Sequence, residues 1–407
     1  MNAPLDHAEA LAAQSGALSA WLHAHRRVWA SRPFREQPAR WEADVPEVSA
    51  WLRALDDDAL TALEADPHRA DDAPAPWQAW ARRARALTEV PDLAGPALEA
   101  LDDPGLQRRV PARKWAQVRA FAALAAARLP EGEVVDWCAG KGHLGRVLAT
   151  ATGRPARMLE RDPDLCAAGQ ARAAAEGAPC SVRLGDVLDP AIQEELRPGR
   201  SAVALHACGT LHETLLREAA ARGVDAVAVA PCCYHRRPAG PVPLFSAAGR
   251  ASGLRLDARQ LRLATAEEVV ARPHLRAVRR QEMAWRQGLD QLLRHVSGQD
   301  RYTTLPSVPR AEVQRPFADF CRWMAAREGI ALPAFDAARF EALGWQRARV
   351  ARLLSLPRTL FRRPLELWLV LDRALAQAEA GRAVAVGVFC RRAVTPRNLV
   401  VLSTRRP

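Results

Sequence analysis

The spacing of apolar residues changes character twice along the chain. In the first hundred residues, Leu11, Leu18, Trp21, Leu22 and Val28 fall near helical spacing, as do Trp51, Leu52, Leu55, Leu60 and Leu63. Pro33, Pro38, Pro46, Pro67, Pro74, Pro76 and Pro91 cut this stretch into short helices. From about residue 130, short β-prone runs alternate with alanine-rich helices. Val134–Cys138, Arg157–Glu160, Ser181–Leu184, Ala202–His206 and Ala226–Ala230 read as strands. Between them, His143–Ala151, Pro163–Glu176 and Leu211–Ala221 read as helices, the second with proline in its first turn. The alternation stops over residues 236–363, which read as helical, and then resumes. Leu365–Ala380 is a helix closed by Gly381, and Ala383–Phe389 and Leu399–Ser403 are two further strands around Pro396.

Alternating strands and helices predict an α/β fold on a parallel sheet with right-handed crossovers. Four segments follow: a helical N-terminal domain (1–108), a Rossmann-like core (109–235), a helical insertion after the fifth strand (236–363), and a final helix with two strands completing the sheet (364–407). The tryptophans of the first segment are expected to pack its core, with base stacking as the alternative.

Composition adds to this picture chiefly through charge. The 407 residues are 49% apolar and 26% charged, an ordinary globular balance that excludes disordered and collagenous classes. No 18-residue window is apolar and free of charge, so no membrane span is expected, and Met1–Ala20 lacks the basic start of a signal peptide. Eight cysteines in so long a chain read as reduced thiols, which points to the cytoplasm. Of the 58 basic residues only Lys114 and Lys141 are lysine, and Ile and Asn are equally scarce. Codon bias in a GC-rich bacterial genome explains much of the arginine. It does not explain the distribution. Residues 1–105 hold 18 acids and 10 Arg, whereas residues 236–363 hold 24 Arg and 11 acids. The clusters Arg236–Arg237, Arg276/Arg279/Arg280 and Arg347/Arg349/Arg352 are candidate phosphate contacts, so an anionic partner, RNA, is expected on the insertion. The alternative is a solvated face.

The sharpest local feature is Asp136-Trp-Cys-Ala-Gly-Lys-Gly-His-Leu-Gly145, a strand running into a glycine turn that opens a helix. Gly140, Lys141, Gly142 and His143 form the candidate cofactor loop, since glycine allows a tight turn and close backbone approach. Gly140 to Gly145 also satisfies the dinucleotide fingerprint, but an acid at the strand end is unwelcome beside a diphosphate. Asp136 instead suits the ammonium group of S-adenosylmethionine. Glu160, ending the second strand, suits ribose hydroxyls, and Asp186, after the third, suits the adenine amino group.

These residues, with Leu-His-Ala-Cys-Gly (205–209) and Pro-Cys-Cys-Tyr-His (231–235), resemble the methyltransferase domain family that includes eukaryotic acceptor-stem tRNA 2′-O-methyltransferases and several methyltransferase-like proteins. The likeness is clear over roughly residues 110–235. Val110-Pro-Ala-Arg-Lys-Trp115 is similar to a lysine-containing segment ahead of that family's glycine loop, which adds Lys114 to the cofactor candidates. Arg363–Asp372 and Thr395–Leu399 extend the resemblance to a bacterial branch. It implies a class I, Rossmann-like, S-adenosylmethionine-dependent fold, and RNA as acceptor by analogy. The first glycine of the general loop is replaced here by Cys138.

Ligands of parallel sheets lie at the carboxyl ends of strands, so the fourth- and fifth-strand motifs should converge where a methyl group is transferred. His206 or His235 is the candidate base, Tyr234 a candidate stacking or hydrogen-bonding group, and Cys208 and Cys233 complete the candidate set. Each has a packing alternative. Zinc is a separate alternative, because His206, Cys208, Cys232, Cys233 and His235 are metal-ligand types, but no metal site is expected: adjacent cysteines do not resemble the C-x₂-C knuckle and side chains alternate across a strand. Three functions follow: an RNA methyltransferase, a protein or small-molecule methyltransferase, or a non-catalytic RNA-binding protein keeping the fold. Oligomeric state is not legible.

Overall fold

The structure is a computed structural model that describes residues 7–266 and 273–406. The first six residues of the Met1–Ala20 stretch and residues 267–272 of the expected insertion lie outside the described residues. Among the described residues, no helix is long and apolar enough to cross a membrane.

Seven strands form one sheet in the order β3-β2-β1-β4-β5-β7-β6. They are β1 (Glu133–Trp137), β2 (Ala156–Glu160), β3 (Cys180–Leu184), β4 (Arg200–Cys208), β5 (Ala226–Cys232), β6 (Arg382–Val388) and β7 (Leu399–Arg405). The first five are parallel, and β7 runs antiparallel between β5 and β6. All seven expected strands are present, each within a residue or two of its expected ends. β1, β4 and β5 are buried on both faces, which is why they read as continuous apolar runs rather than alternating ones. The order reverses between β1 and β4, so a crevice opens outside their carboxyl ends, where ligands of open α/β sheets bind.

The chain divides into two compact units. The first comprises Met1–Ala24, Arg85–Ala266 and Arg362–Pro407 and contains the sheet. Helix Ala112–Arg128 buries Trp115, Val118, Phe121 and Leu124 in the sheet's core cluster, where Phe121 meets Phe389 edge-on. Helix Arg362–Glu379 is buried along nearly its whole length, and Trp368 Nε1 on it donates to Ser19 Oγ of helix Ala8–Ala24 at 2.8 Å. The start of the chain therefore packs with the sheet unit. Asp92 bridges Val388 on the edge strand β6, covering an edge that would otherwise offer unpaired backbone groups.

The second unit comprises His25–Ala84 and Glu267–Phe361. Trp285, Phe317, Phe320, Met324 and Phe340 form its buried cluster around helices Pro273–Ser297, Phe317–Arg327 and Ala337–Thr359. Trp29, Trp41 and Trp77 are fully buried in this unit, so they pack rather than stack on bases. The units cut across sequence order: the expected N-terminal domain contributes to both, and residues 236–266 of the expected insertion belong with the sheet. The opposite charges of the two segments meet inside the second unit. Arg349 Nε donates to Asp57 at 3.0 Å, and Arg352 makes a two-pronged pair with Glu64 at 2.8 and 2.9 Å. Part of the arginine excess is thus neutralised by the chain's own acids.

Candidate active site at the carboxyl ends of the strands

Asp136 stands next to last in β1 and is buried, with 3% exposure. Its Oδ2 accepts the Gly145 N–H at 2.8 Å, which pins the first turn of helix His143–Thr152 beneath it. Burial pushes the carboxyl up to about 7, against the Gly145 hydrogen bond and the Lys114 ammonium, which both draw it down, while Glu160 raises it further. Glycine is required in this loop for two distinct reasons. A Cβ on Gly142 (φ +66°) would lie 2.3 Å from Met158 Sδ, and one on Gly145 would lie 3.0 Å from Asp136 Oδ2. Gly140 (φ +59°) has nothing within 4 Å of such a position, so there the open side of the turn is room for a ligand. Cys138 keeps the left-handed backbone (φ +61°) that glycine would adopt without strain, at a cost of about 1–3 kcal/mol.

Glu160 ends β2 with both oxygens oriented: Oε2 accepts the Gly140 N–H at 2.8 Å, and Oε1 those of Arg161 and Asp162 at 2.9 and 3.0 Å. Asp186 follows β3, its Oδ1 accepting the Leu188 N–H at 2.9 Å and its Oδ2 3.6 Å from Arg161. The three acids therefore stand at the carboxyl ends of neighbouring strands, and two of them, Asp136 and Glu160, hold the glycine turn and the helix it opens. An open cradle, a buried carboxylate with an oxygen to spare, and oriented acids fit S-adenosylmethionine: Asp136 for its ammonium, Glu160 for its ribose hydroxyls, Asp186 for its base. Lys114 and Lys141 are exposed, and Lys114 lies within electrostatic reach of Asp136. His143 is buried in the first helical turn, and burial, reinforced by Lys114, Arg172, Arg146 and Lys141, lowers it to about 3. It is neutral at physiological pH, with its buried Nδ1 unpaired among the described residues.

The β4 and β5 motifs do meet. Gly209 N donates to Cys232 O at 3.1 Å and Thr210 N to Arg236 O at 3.3 Å, an approach so close that a Cβ on Gly209 would sit 1.7 Å from the Arg236 carbonyl oxygen. His206 lies at a register shift between Leu205 and Ala207, with left-handed φ +64°. A bulge of this kind re-aims a side chain. Its Nε2 is 2.8 Å from Gln117 Oε1, and the Gln117 amide nitrogen donates to Val394 O at 3.3 Å. That second bond fixes which way the amide faces. Nε2 must then carry the imidazole hydrogen, and Nδ1, buried and without a partner among the described residues, holds the lone pair. Burial first, then Arg397, lowers His206 to about 4, with Lys114 and Arg113 adding to the effect and Cys233 opposing it. His206 is neutral at pH 7 and able to accept a proton at Nδ1. Gln117 was not legible as part of the site; it sits one helical turn beyond Lys114, and only the fold brings it to β4.

His235 is half-buried and lowered by burial, with Arg262, Arg236 and Arg397 adding to the effect and Cys233 opposing them. Tyr234 departs from the stacking role considered for it. It is fully buried, its ring edge-on to His212 and covered by the Arg373 guanidinium 5.2 Å from the centroid. No face remains for an acceptor base. It belongs to a buried brace that sequence spacing did not reveal. Arg373 donates to Glu213 at 2.9 Å and to His212 Nε2 at 3.0 Å, while His212 Nδ1 donates to Ala207 O at 3.1 Å. Arg237 adds a pair to Glu213 at 3.2 Å. The Sγ atoms of Cys208, Cys232 and Cys233 lie within 4.8 Å of one another. Cys208 and Cys232 beside it hold the Cys233 thiol low, and Cys208 and Cys233 push that of Cys232 up.

Residues 113–237 match the model of a methyltransferase domain family. No curated protein matches the chain. Solved structures similar to it include an RNA methyltransferase from Salinibacter ruber with S-adenosyl-L-homocysteine (21% identity, 33% of this chain and 87% of that one, TM-score 0.25). The methyltransferase PaMTH1 of Podospora anserina is 15% identical over 37% of this chain and 69% of that one, with a TM-score of 0.27. The Pyrococcus abyssi tRNA (uracil-54, C5)-methyltransferase is 11% identical over 29% of each chain, with a TM-score of 0.26, so the chain spans under a third of that protein's length. Residues 113–237 are therefore a methyltransferase domain of the class I, S-adenosylmethionine-dependent kind.

Proposed function

We propose that this chain transfers a methyl group from S-adenosylmethionine to RNA, in a tRNA or rRNA. The observation that carries the RNA reading is the electrostatic contrast across the crevice. Acids at the ends of β1, β2 and β3 line the cofactor side. On the acceptor side, Arg113, Lys114, Arg236, Arg262 and Arg397 all bear on His206 or His235, lowering one or both. A cationic rim of this kind draws in and positions a phosphate backbone without reading sequence. The same rim gives a small neutral substrate little to bind.

The bound cofactor would supply an electrophilic methyl group. The chain's own residues do the rest. Asp136 and Glu160, held by backbone N–H groups of the loop, present preoriented carboxylates. His206, kept in one tautomer by Gln117, accepts the proton that a hydroxyl or amino acceptor loses. General-base participation of this type contributes about 10²–10⁴-fold. The arginine clusters of the second unit contribute less than their number implies, because Arg349 and Arg352 already pair with Asp57 and Glu64. We place the protein in the bacterial cytoplasm, on its free cysteines and its arginine-rich, lysine-poor composition.

Mass spectrometry of nucleosides from total RNA, with and without the gene, tests the reading. Loss of one methylated nucleoside in the deletion, restored by the wild-type chain but not by His206→Ala, is the expected result. An unchanged nucleoside profile overturns RNA as substrate and leaves a protein or small-molecule acceptor.

A further inference from the structure

We infer that Cys208, Cys232 and Cys233 form a binding site for a thiophilic d¹⁰ cation, zinc(II) or copper(I), where β4 and β5 end. The inference stands on the geometry of these residues and does not depend on RNA being the acceptor. Cys208 and Cys232 are register partners on adjacent parallel strands, with their sulfurs 3.4 Å apart. Cys233 would ordinarily point to the opposite face of the sheet from Cys232, since side chains alternate along a strand. It does not, because its backbone leaves the strand in the left-handed region, at φ +45°. The third sulfur thereby joins the other two, and all three lie within 4.8 Å of one another. A non-glycine residue adopts this backbone only where the surroundings enforce it. One of the two grounds for expecting no metal was that alternation, which the backbone at Cys233 removes; the other, the missing C-x₂-C spacing, is met by drawing sulfurs from two strands.

One other feature points the same way. The Cys208 and Cys232 thiols both direct their S–H groups at the His206 carbonyl, at 3.5 and 3.3 Å, so their sulfurs are gathered around one point rather than dispersed in apolar packing. His235, two residues beyond Cys233, does not join the three sulfurs within 4.8 Å, so the protein supplies three sulfur ligands. Among the described residues, the remaining cysteines, Cys138, Cys166, Cys180, Cys321 and Cys390, enter no such group. Soft thiolates select zinc and copper(I) over magnesium, calcium or manganese. Binding is a proton exchange: each sulfur that carries a proton gives it up to solvent as it takes the cation, so uptake strengthens as pH rises.

The test uses the full chain, purified under reducing conditions without chelator. Inductively coupled plasma mass spectrometry should find one equivalent of zinc or of copper per chain, the two arms separating the metals. After anaerobic chelation, cobalt(II) added to the wild-type chain should give thiolate-to-cobalt charge-transfer absorption and tetrahedral visible bands. Cys208→Ser and Cys233→Ser should lower zinc affinity by at least about tenfold, whereas Cys321→Ser should leave metal content unchanged. Retained calorimetric binding of S-adenosylmethionine by the serine variants shows that they fold. A wild-type chain that holds neither metal after anaerobic reconstitution, a cobalt spectrum without thiolate charge transfer, or full metal content in folded Cys233→Ser overturns the inference.

Discussion

The buried Asp136 carboxyl makes cofactor binding depend on pH in a direction that can be worked out beforehand. Its pKa is raised from 3.8 to about 7, chiefly by burial. A cation such as the cofactor's ammonium binds the carboxylate and not the acid, so binding must ionise the group. Between pH 8 and pH 6 the ionised fraction falls by about tenfold, and the affinity for S-adenosylmethionine should fall with it. Near pH 7 each binding event should release about half a proton, read by calorimetry in buffers of different ionisation enthalpy. The same shift sets a stability cost. The folded chain holds this proton more tightly than the unfolded one, so the contribution favours folding below pH 3.8 and is lost as pH rises through about 7. Fully ionised, the buried group costs about 4 kcal/mol. Asp136→Asn keeps an acceptor for the Gly145 N–H and removes that cost. It should abolish cofactor binding while raising the melting temperature of the cofactor-free protein at pH 8. An affinity that is flat from pH 6 to pH 8 with no proton release, or an Asp136→Asn variant no more stable at pH 8, would refute the reasoning.

Other consequences follow from the site. His206→Ala should leave the calorimetric affinity for S-adenosylmethionine unchanged and lower kcat by about 10²–10⁴-fold. Because His206 titrates at about 4, kcat at saturating cofactor should be flat between pH 6 and pH 8 and fall only on the acid side; an inflection near 6.5 would contradict its environment. Gln117→Leu removes the partner that fixes the tautomer, so it should lower kcat without changing cofactor affinity, and Gln117→Glu should move the acid limb of the pH profile upward. Gly209→Ala forces a Cβ onto the Arg236 carbonyl at positive φ. It should cost more than about 2 kcal/mol in denaturant unfolding. RNA binding should weaken steeply as salt is raised from 50 to 200 mM, and a flat response would count against the cationic rim.

The sheet was legible because β1, β4 and β5 are apolar runs bounded by turn residues, and the intervening helices carry their own start and stop signals. Asp136, Gly140, Gly142 and Glu160 were legible because strand ends and glycine turns are local patterns. What escaped is nonlocal. Gln117 reaches His206 across 89 positions of sequence, and Arg373 reaches His212 across 161. Neither pairing leaves a spacing to read. The choice between stacking and packing at Tyr234 is hidden for the same reason, since the ring's burial depends on Arg373 and His212 rather than on its neighbours in sequence. The left-handed backbones at His206 and Cys233 also escaped, because strain at a non-glycine residue has no compositional sign. The charge asymmetry was real, but its meaning changed once Arg349 and Arg352 were found on Asp57 and Glu64.

The central claim is tested most directly by transfer of label. Purified chain, S-adenosylmethionine carrying a tritiated methyl group, and total RNA from cells lacking the gene are incubated together, with cell protein and small-molecule extract as parallel acceptors. The account predicts label in the RNA fraction, abolished by Asp136→Asn and by ribonuclease. Label that appears only in protein or in the small-molecule fraction would contradict it.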